Sequence, residues 1–324
     1  MASIPLVRNI RSGLEESVHA GDVAVVDANG SLIAFAGGPD RPLFARSSMK
    51  PLQATVSLSL APLEFSDREI AVMCASHNAE PVHLEAVRAI LQRAGISEDA
   101  LQCPSMRPWD EETAIRSPER RRINSDCSGK HAGMLAASRC QGWPVEGYRT
   151  ADHPLQRAVL QAVLAASRQD TVQVGVDGCG VPVHGMPLSS MARIYAGLVR
   201  SDLLGDLAPH ARRAIDAMRA EPYLVAGRNR TDTAVMQASA NVIVKGGAEG
   251  LMCAGVIDRG VGVAVKIRDG AGCAAGPALI HALRLLDVLD ERALAALEPF
   301  VRPPVLGGGV PVGELVAGFD LLAP

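Results

Sequence analysis

Ser47-Ser48-Met49-Lys50 sets a hydroxyl three residues ahead of an amine, a spacing that brings both to one face of a helix start. A Ser-x-x-Lys pair of this kind serves as nucleophile and base in several acyl-transfer enzymes. The ordinary alternative is a capped helix with an exposed lysine. Ser76, followed by His77 at the end of an apolar segment, offers a second hydroxyl, or simply a capping serine beside a surface histidine. Cys127 and Cys179 lie in glycine-containing segments, Asp126-Cys127-Ser128-Gly129-Lys130-His131 and Asp177-Gly178-Cys179-Gly180. With a nitrogen from Lys130 or His131, they amount to three ligands suited to zinc. Their spacing matches no standard zinc signature, and a metal-free thiol pair accounts for it as well. Lys266 sits in the alternating run Val261 to Ile267, either as a strand gatekeeper or as a partner to a charge or a reacting group.

The chain holds four lysines, Lys50, Lys130, Lys245 and Lys266, against twenty-eight arginines. Arginine keeps its charge, whereas lysine can lose a proton, so the surviving lysines are candidates for work that needs a neutral amine. GC-rich codon usage would thin lysine too, but it does not explain where the four fall. Bringing a lysine from a pKa near 10.4 to about 7 requires roughly 4 to 5 kcal/mol against the ammonium. A second cation about 4 Å away supplies ~4 kcal/mol at an effective dielectric of ~20, and burial adds to it.

These groups need elements to hold them. Two apolar runs from Asp22 to Ala36 flank Asp27-Ala28-Asn29-Gly30 and predict a β-hairpin. A helix is expected from about Ser48 to Leu60, with Pro51 in its first turn because it lacks an N–H. Ser66 to Glu69 forms a capping box that opens a helix ending near Ala75. Helical spacing recurs at 80–94, 130–140, 153–168, 187–200, 206–220, 231–240, 275–289 and 291–298. Strands are expected at Val172–Val176, Asn241–Val244, Leu251–Ile257 and Val261–Ile267, the last two joined by a tight turn at Asp258-Arg259-Gly260. Residues 104–122 look variable, with Arg120 to Arg122 a solvated face, and the tail after Pro303 is expected as an edge strand and wrap-around segment.

Composition narrows the function. A net charge of −3 offers no field for nucleic acid, and 3% aromatics leave little for stacking bases or sugars. No apolar run reaches the ~18 residues of a membrane span, and seven cysteines, several inside apolar runs, fit a reducing compartment. The expectation is a soluble, cytoplasmic protein with no nucleic-acid or membrane partner.

Taken together, the segments resemble the type II asparaginase family typified by rhizobial inducible L-asparaginase. The resemblance rests on six ordered blocks: Phe44–Pro51, Cys74–Glu80, Asn124–His131, Gly175–Pro182, Lys245–Gly250 and Ala264–Ile267. It implies an α/β fold akin to serine β-lactamases and glutaminases, a mixed, mainly antiparallel sheet packed with helices. It implies too that residues 1–324 form one domain, as a single body or two closely packed lobes, and that the protein is a homodimer. The implied site has two Ser-Lys pairs, Ser47 with Lys50 and Ser76 with Lys266. One zinc ion per chain is implied at Cys127, Lys130 and Cys179, with Arg46, His131 and Asp177 nearby for substrate. Gly227 to Thr233 departs from the family segment at its centre, and 104–122 matches no motif, so either could alter the substrate if it lines the pocket.

The expected reaction is hydrolysis of the asparagine side-chain amide through an aspartyl ester. Ser47 is the expected nucleophile and Lys50 its base, with Ser76 and Lys266 as proton shuttle and electrostatic partner. Arg46 is assigned to the substrate carboxylate and Asp177 to its ammonium. Two other readings stay open: a penicillin-interacting serine hydrolase, and a non-catalytic zinc-binding ligand sensor.

Overall fold

A computed structural model describes all 324 residues. The chain divides into two compact units. Unit 1 comprises Met1–Ser48, Met186–Arg200 and Ala234–Pro324, and unit 2 comprises Met49–Gly185 and Ser201–Thr233. The strands in chain order are β1 (Ile4–Arg11), β2 (Leu14–Val26), β3 (Leu32–Ala36), β4 (Pro42–Phe44), β5 (Gln173–Val176), β6 (Pro182–Pro187), β7 (Val242–Gly247), β8 (Leu251–Val256), β9 (Val261–Ile267), β10 (Pro304–Gly307) and β11 (Val310–Ala317). No helix is long and apolar enough to cross a membrane.

Unit 1 is built on one antiparallel sheet in the order β10-β11-β1-β2-β9-β8-β7, with β3 also on β2. The β2–β3 hairpin turns at Asp27–Gly30, where the Asp27 carboxylate accepts the N–H groups of Asn29 and Ser31. The β8–β9 hairpin closes where Asp258-Arg259-Gly260 predicts it. Central strands are apolar on both faces because helices cover both. The helix Leu188–Val199 packs so close to β9 that a Cβ at Gly262 would lie 1.8 Å from the Ala192 carbonyl oxygen. The helix Gly272–Leu285 packs on β8 and β9 as well, and the alternate residues Val263, Val265 and Ile267 are fully buried. Several features escape the sequence pattern, the short strand β4 among them. β1 has no counterpart among the expected strands, because its burial is uneven and its sequence mixes charge with apolar residues. The tail forms the edge strand β10, but also β11, which pairs with both β10 and β1 and is thus interior to the sheet.

Unit 2 is mainly helical. Its centre is the helix Lys50–Leu60, buried from Lys50 to Leu58, with Pro51 in the first turn where its missing N–H costs nothing. The preceding Arg46–Met49 is a 3₁₀ turn, so the helix starts two residues later than expected. Around it pack the helices Ser128–Cys140, Pro154–Ser167 and Ala208–Ala220, with Asp67–Met73 and Pro81–Arg93 beside them. The capping box is formed: Ser66 Oγ accepts from the Glu69 N–H, and the Glu69 carboxylate accepts the Ser66 N–H at 2.7 Å. This helix ends at Met73 rather than Ala75, and the chain leaves it extended toward Ser76. The antiparallel pair β5–β6 carries the turn Asp177–Gly180. Arg120, Arg121 and Arg122 are exposed, as a solvated face requires.

Candidate active site

Lys50 is the focus of unit 2. Burial at the start of its helix leaves the amine 1% exposed, with Nζ donating to the Ala75 carbonyl at 2.7 Å and meeting Ser76 Oγ at 2.9 Å. Asp126 completes the shell through its carbonyl at 3.4 Å and its carboxylate at 3.5 Å. Ser76 reaches this amine because its own N–H is tied to the Val225 carbonyl at 3.0 Å, just past the end of the Asp67–Met73 helix. Helical spacing points to Ser47 as the partner of Lys50, but the amine spends its hydrogen bonds on the Ala75–Ser76 segment and Asp126. Ser47 itself lies in the 3₁₀ turn, partly exposed.

The charge state of Lys50 differs from the one two neighbouring lysines would give. Burial and the neighbouring Lys130 ammonium work against its ammonium, but the two sulfurs and the Asp126 carboxylate outweigh them and raise its pKa above the ordinary 10.5. An amine among anions keeps its proton.

Cys127, Lys130 and Cys179 come together. Lys130 Nζ is 2.9 Å from Cys179 Sγ, and Cys127 Sγ donates to the Asp126 carboxylate at 3.5 Å. The interaction with Cys179, together with burial, pushes the Cys127 thiol well up. The same interaction, with Lys130 close by, pulls Cys179 far down despite burial. Burial acts to lower the Lys130 pKa, but the thiolate charge overrides it and the net shift is upward. The turn that brings Cys179 in needs glycine at position 180, where φ is +87° and a Cβ would sit 2.3 Å from the Arg149 guanidinium. Lys130 and Cys127 arrive on the opening turn of Ser128–Cys140, which crosses so near residue 72 that a Cβ on Gly129 would lie 2.0 Å from the Val72 carbonyl oxygen.

The expected substrate residues fall in different surroundings. His131 is fully buried, its Nδ1 2.6 Å from Tyr148 Oη, which also accepts the Gln102 N–H at 3.1 Å. Its Nε2 is buried without a hydrogen-bond partner. Burial holds the ring neutral, with a pKa down to about 4, against the pull of the Cys179 sulfur. Asp177 accepts the Gly178 N–H within its turn. In unit 1, Arg46 lies 3.8 Å from the Glu249 carboxylate, and the Lys266 amine donates to the carbonyls of Glu249 and Ile267. Lys266 is half-buried, and burial with Arg268 alongside lowers its pKa.

Lys245 is the lysine that sequence patterning leaves without a role. It is fully buried, its Nζ donates to the Gly246 carbonyl at 2.6 Å, and its own carbonyl accepts the Ser48 hydroxyl at 3.0 Å. The signal for its burial is the apolar run Val242–Val244, which leads the strand inward just before it. Sequence patterning also misses the cleft lined by Asn78, Trp109 to Glu112, Ile115 and Arg228 to Arg230, although both segments that depart from the family pattern border it.

The donor set of two sulfurs and one amine suits zinc, which favours sulfur and nitrogen ligands. No group of three or more His, Cys, Asp or Glu that could hold a metal ion forms in the structure.

Comparison with curated proteins gives no match. Among solved structures, a β-lactamase from Mycobacterium bovis is 14% identical with a TM-score of 0.43, covering 86% of this chain and 94% of its own. A Bacillus glutaminase is 11% identical with a TM-score of 0.47 over 83% of this chain and 91% of its own. A Bacillus subtilis glutaminase in covalent complex with 5-oxo-L-norleucine is 13% identical with a TM-score of 0.39, over 87% and 93%. At these levels no function passes from them to this chain. The model of the family described as L-asparaginase II, by contrast, matches residues 7–317. Nearly the whole chain, including both thiol segments and the Lys50–Ser76 pair, lies inside that match, and the protein belongs to the L-asparaginase II family of amidohydrolases.

Proposed function

We propose that this protein hydrolyses the side-chain amide of L-asparagine to aspartate and ammonia through a serine ester. The observation that carries the reading is the buried contact between Lys50 Nζ and Ser76 Oγ at 2.9 Å in a member of this family. A serine attacks the amide carbon, the C–N bond breaks with a proton delivered to the departing ammonia, and water then hydrolyses the ester. The pair supports Ser76 as nucleophile, with Lys50 accepting its proton and returning one to the leaving nitrogen. Ser47 is then the competing nucleophile.

The residues fit zinc, and Cys127, Lys130 and Cys179 would hold it. When bound, the metal supplies a Lewis acid and offsets the thiolate charge that otherwise keeps Lys50 protonated. Asp126 positions the Lys50 amine.

The test is ammonia release from asparagine, glutamine and aspartyl amides by the purified protein and its variants. Ser76→Ala and Lys50→Arg are expected to lower kcat by about 10³-fold or more, arginine because it cannot lose its proton. Near-normal turnover by Ser76→Ala with loss in Ser47→Ala would transfer the nucleophile role to Ser47. Acylation by a β-lactam without ammonia release would favour the penicillin-interacting reading.

A further inference from the structure

Two stretches that match the family pattern least, residues 104–122 and Gly227–Thr233, converge on one residue. The Asn78 carbonyl accepts the N–H groups of Trp109 and Asp110 at 3.0 and 3.1 Å. Its side-chain amide donates to the Arg228 carbonyl and accepts from Arg230 Nη1, both at 2.9 Å. Gly227 permits this approach: its φ is +113°, and a Cβ there would lie 2.5 Å from Glu80 Oε1 and 2.8 Å from Asn78 Nδ2. The result is a cleft of about 720 Å³ two residues along from Ser76.

The charges lining the cleft are unequally satisfied. Arg228 is engaged by Glu112 at 3.0 Å and lies 3.9 Å from Asp110, whose carboxylate also caps the next helix at Thr113. Arg230 has no carboxylate partner. Its guanidinium stacks over Trp109 with 5.4 Å to the ring centroid, and Nη1 also lies 3.3 Å from the Ser76 carbonyl oxygen. Glu111, exposed on the same wall, has no ion pair either. One unneutralised guanidinium and one unneutralised carboxylate therefore line the cleft, and the guanidinium reaches the backbone of Ser76.

We propose that this cleft binds the α-amino-acid head group of the substrate, with Arg230 taking the α-carboxylate and Glu111 the α-ammonium. The proposal rests on the amidohydrolase reading above and names how that site selects its substrate. In asparagine the amide carbon and the carboxylate carbon are about 4 Å apart by standard bond lengths, so the group that holds the carboxylate must lie close to the attacking residue. Arg230 Nη1 is 3.3 Å from the Ser76 carbonyl oxygen, on the residue whose hydroxyl would attack. Trp109 fixes the plane of the guanidinium, leaving its outer edge to a planar carboxylate. Arg46, already near Glu249, and Asp177, engaged within its own turn, are not needed for the head group.

Titration of L-aspartate, the product with the same head group, into the unaltered protein and Arg230→Gln tests the site without relying on turnover. Binding is expected to weaken about 30-fold or more in Arg230→Gln, and to be partly restored in Arg230→Lys. In parallel, kcat/KM for asparagine should fall by a similar factor. That for 3-aminopropanamide, which lacks the carboxylate, should stay within about twofold of the unaltered value. Absence of aspartate binding to the unaltered protein, equal binding by Arg230→Gln, or equal loss with both amides overturns the proposal. If aspartate binds through Arg230 but no amide releases ammonia, the hydrolase reading fails and the head-group site stands. Should Arg230→Gln fail to fold, Trp109→Ala, which removes the surface holding the guanidinium, carries the same comparison.

Discussion

At the scale of single residues, the site is a set of buried cations and anions arranged so that each fixes the state of the next. Lys130 stabilises a thiolate on Cys179, and that thiolate keeps Lys130 protonated. Zinc can enter only by displacing those protons, so metal affinity depends on the full donor set. Protein purified without chelator is expected to carry about one zinc per chain, and Cys179→Ser to lose it, by elemental analysis. Metal-free unaltered protein, unable to take up added zinc, would return the two sulfurs to a plain thiol pair. Residue types and their glycine-rich settings make Cys127, Lys130 and Cys179 legible as a group from the sequence. The partner of Lys50 is not legible in that way, because Ser76 is twenty-six residues away. Its position depends on where a short helix stops, which local periodicity does not specify.

At the scale of elements, two crossings do the positioning. The capping box at Ser66 starts the Asp67–Met73 helix, and the opening turn of Ser128–Cys140 crosses its end with only glycine between. Gly129→Ala would drive a methyl group into the Val72 carbonyl, so the helices must part. The expected cost is about 3 kcal/mol, read as a melting temperature lower by several degrees together with weakened zinc binding. An unchanged melting curve would mean the crossing is looser than the 2.0 Å approach indicates. Helix and strand positions are largely readable: the β2–β3 and β8–β9 hairpins, the capping box and the Lys50–Leu60 helix all follow from turn residues, caps and apolar spacing. β1 is not, since its burial is uneven and its sequence mixes charge with apolar residues.

At the scale of the whole molecule, the buried histidines make stability depend on pH. Burial lowers the pKa of His77, His83 and His184, the last to about 4. As pH falls through 6.5 the unfolded chain takes up these protons first, so stability is full above that value and declines on the way to about 4. His184 alone accounts for about 3 kcal/mol across its window at 1.36 kcal/mol per unit. Urea unfolding between pH 7 and 4.5 should show this decline, with a shallower slope in His184→Gln. A slope unchanged by the substitution would mean His184 is not buried as a neutral ring in solution.

The sequence by itself determined the local elements and the inventory of reactive groups. Hydrophobic period, turn chemistry and caps act over a few residues, and lysine and cysteine are rare enough here for each to stand out. Only the tertiary structure decided which groups meet and in what charge state. It joined Lys50 to Ser76, set sulfurs and the Asp126 carboxylate beside that lysine so that they outweigh burial and the Lys130 ammonium, and drew Trp109, Asn78 and Arg230 to one cleft. Such pairings depend on long-range packing, and a buried pKa depends on every charge within several ångströms, whatever its distance along the chain.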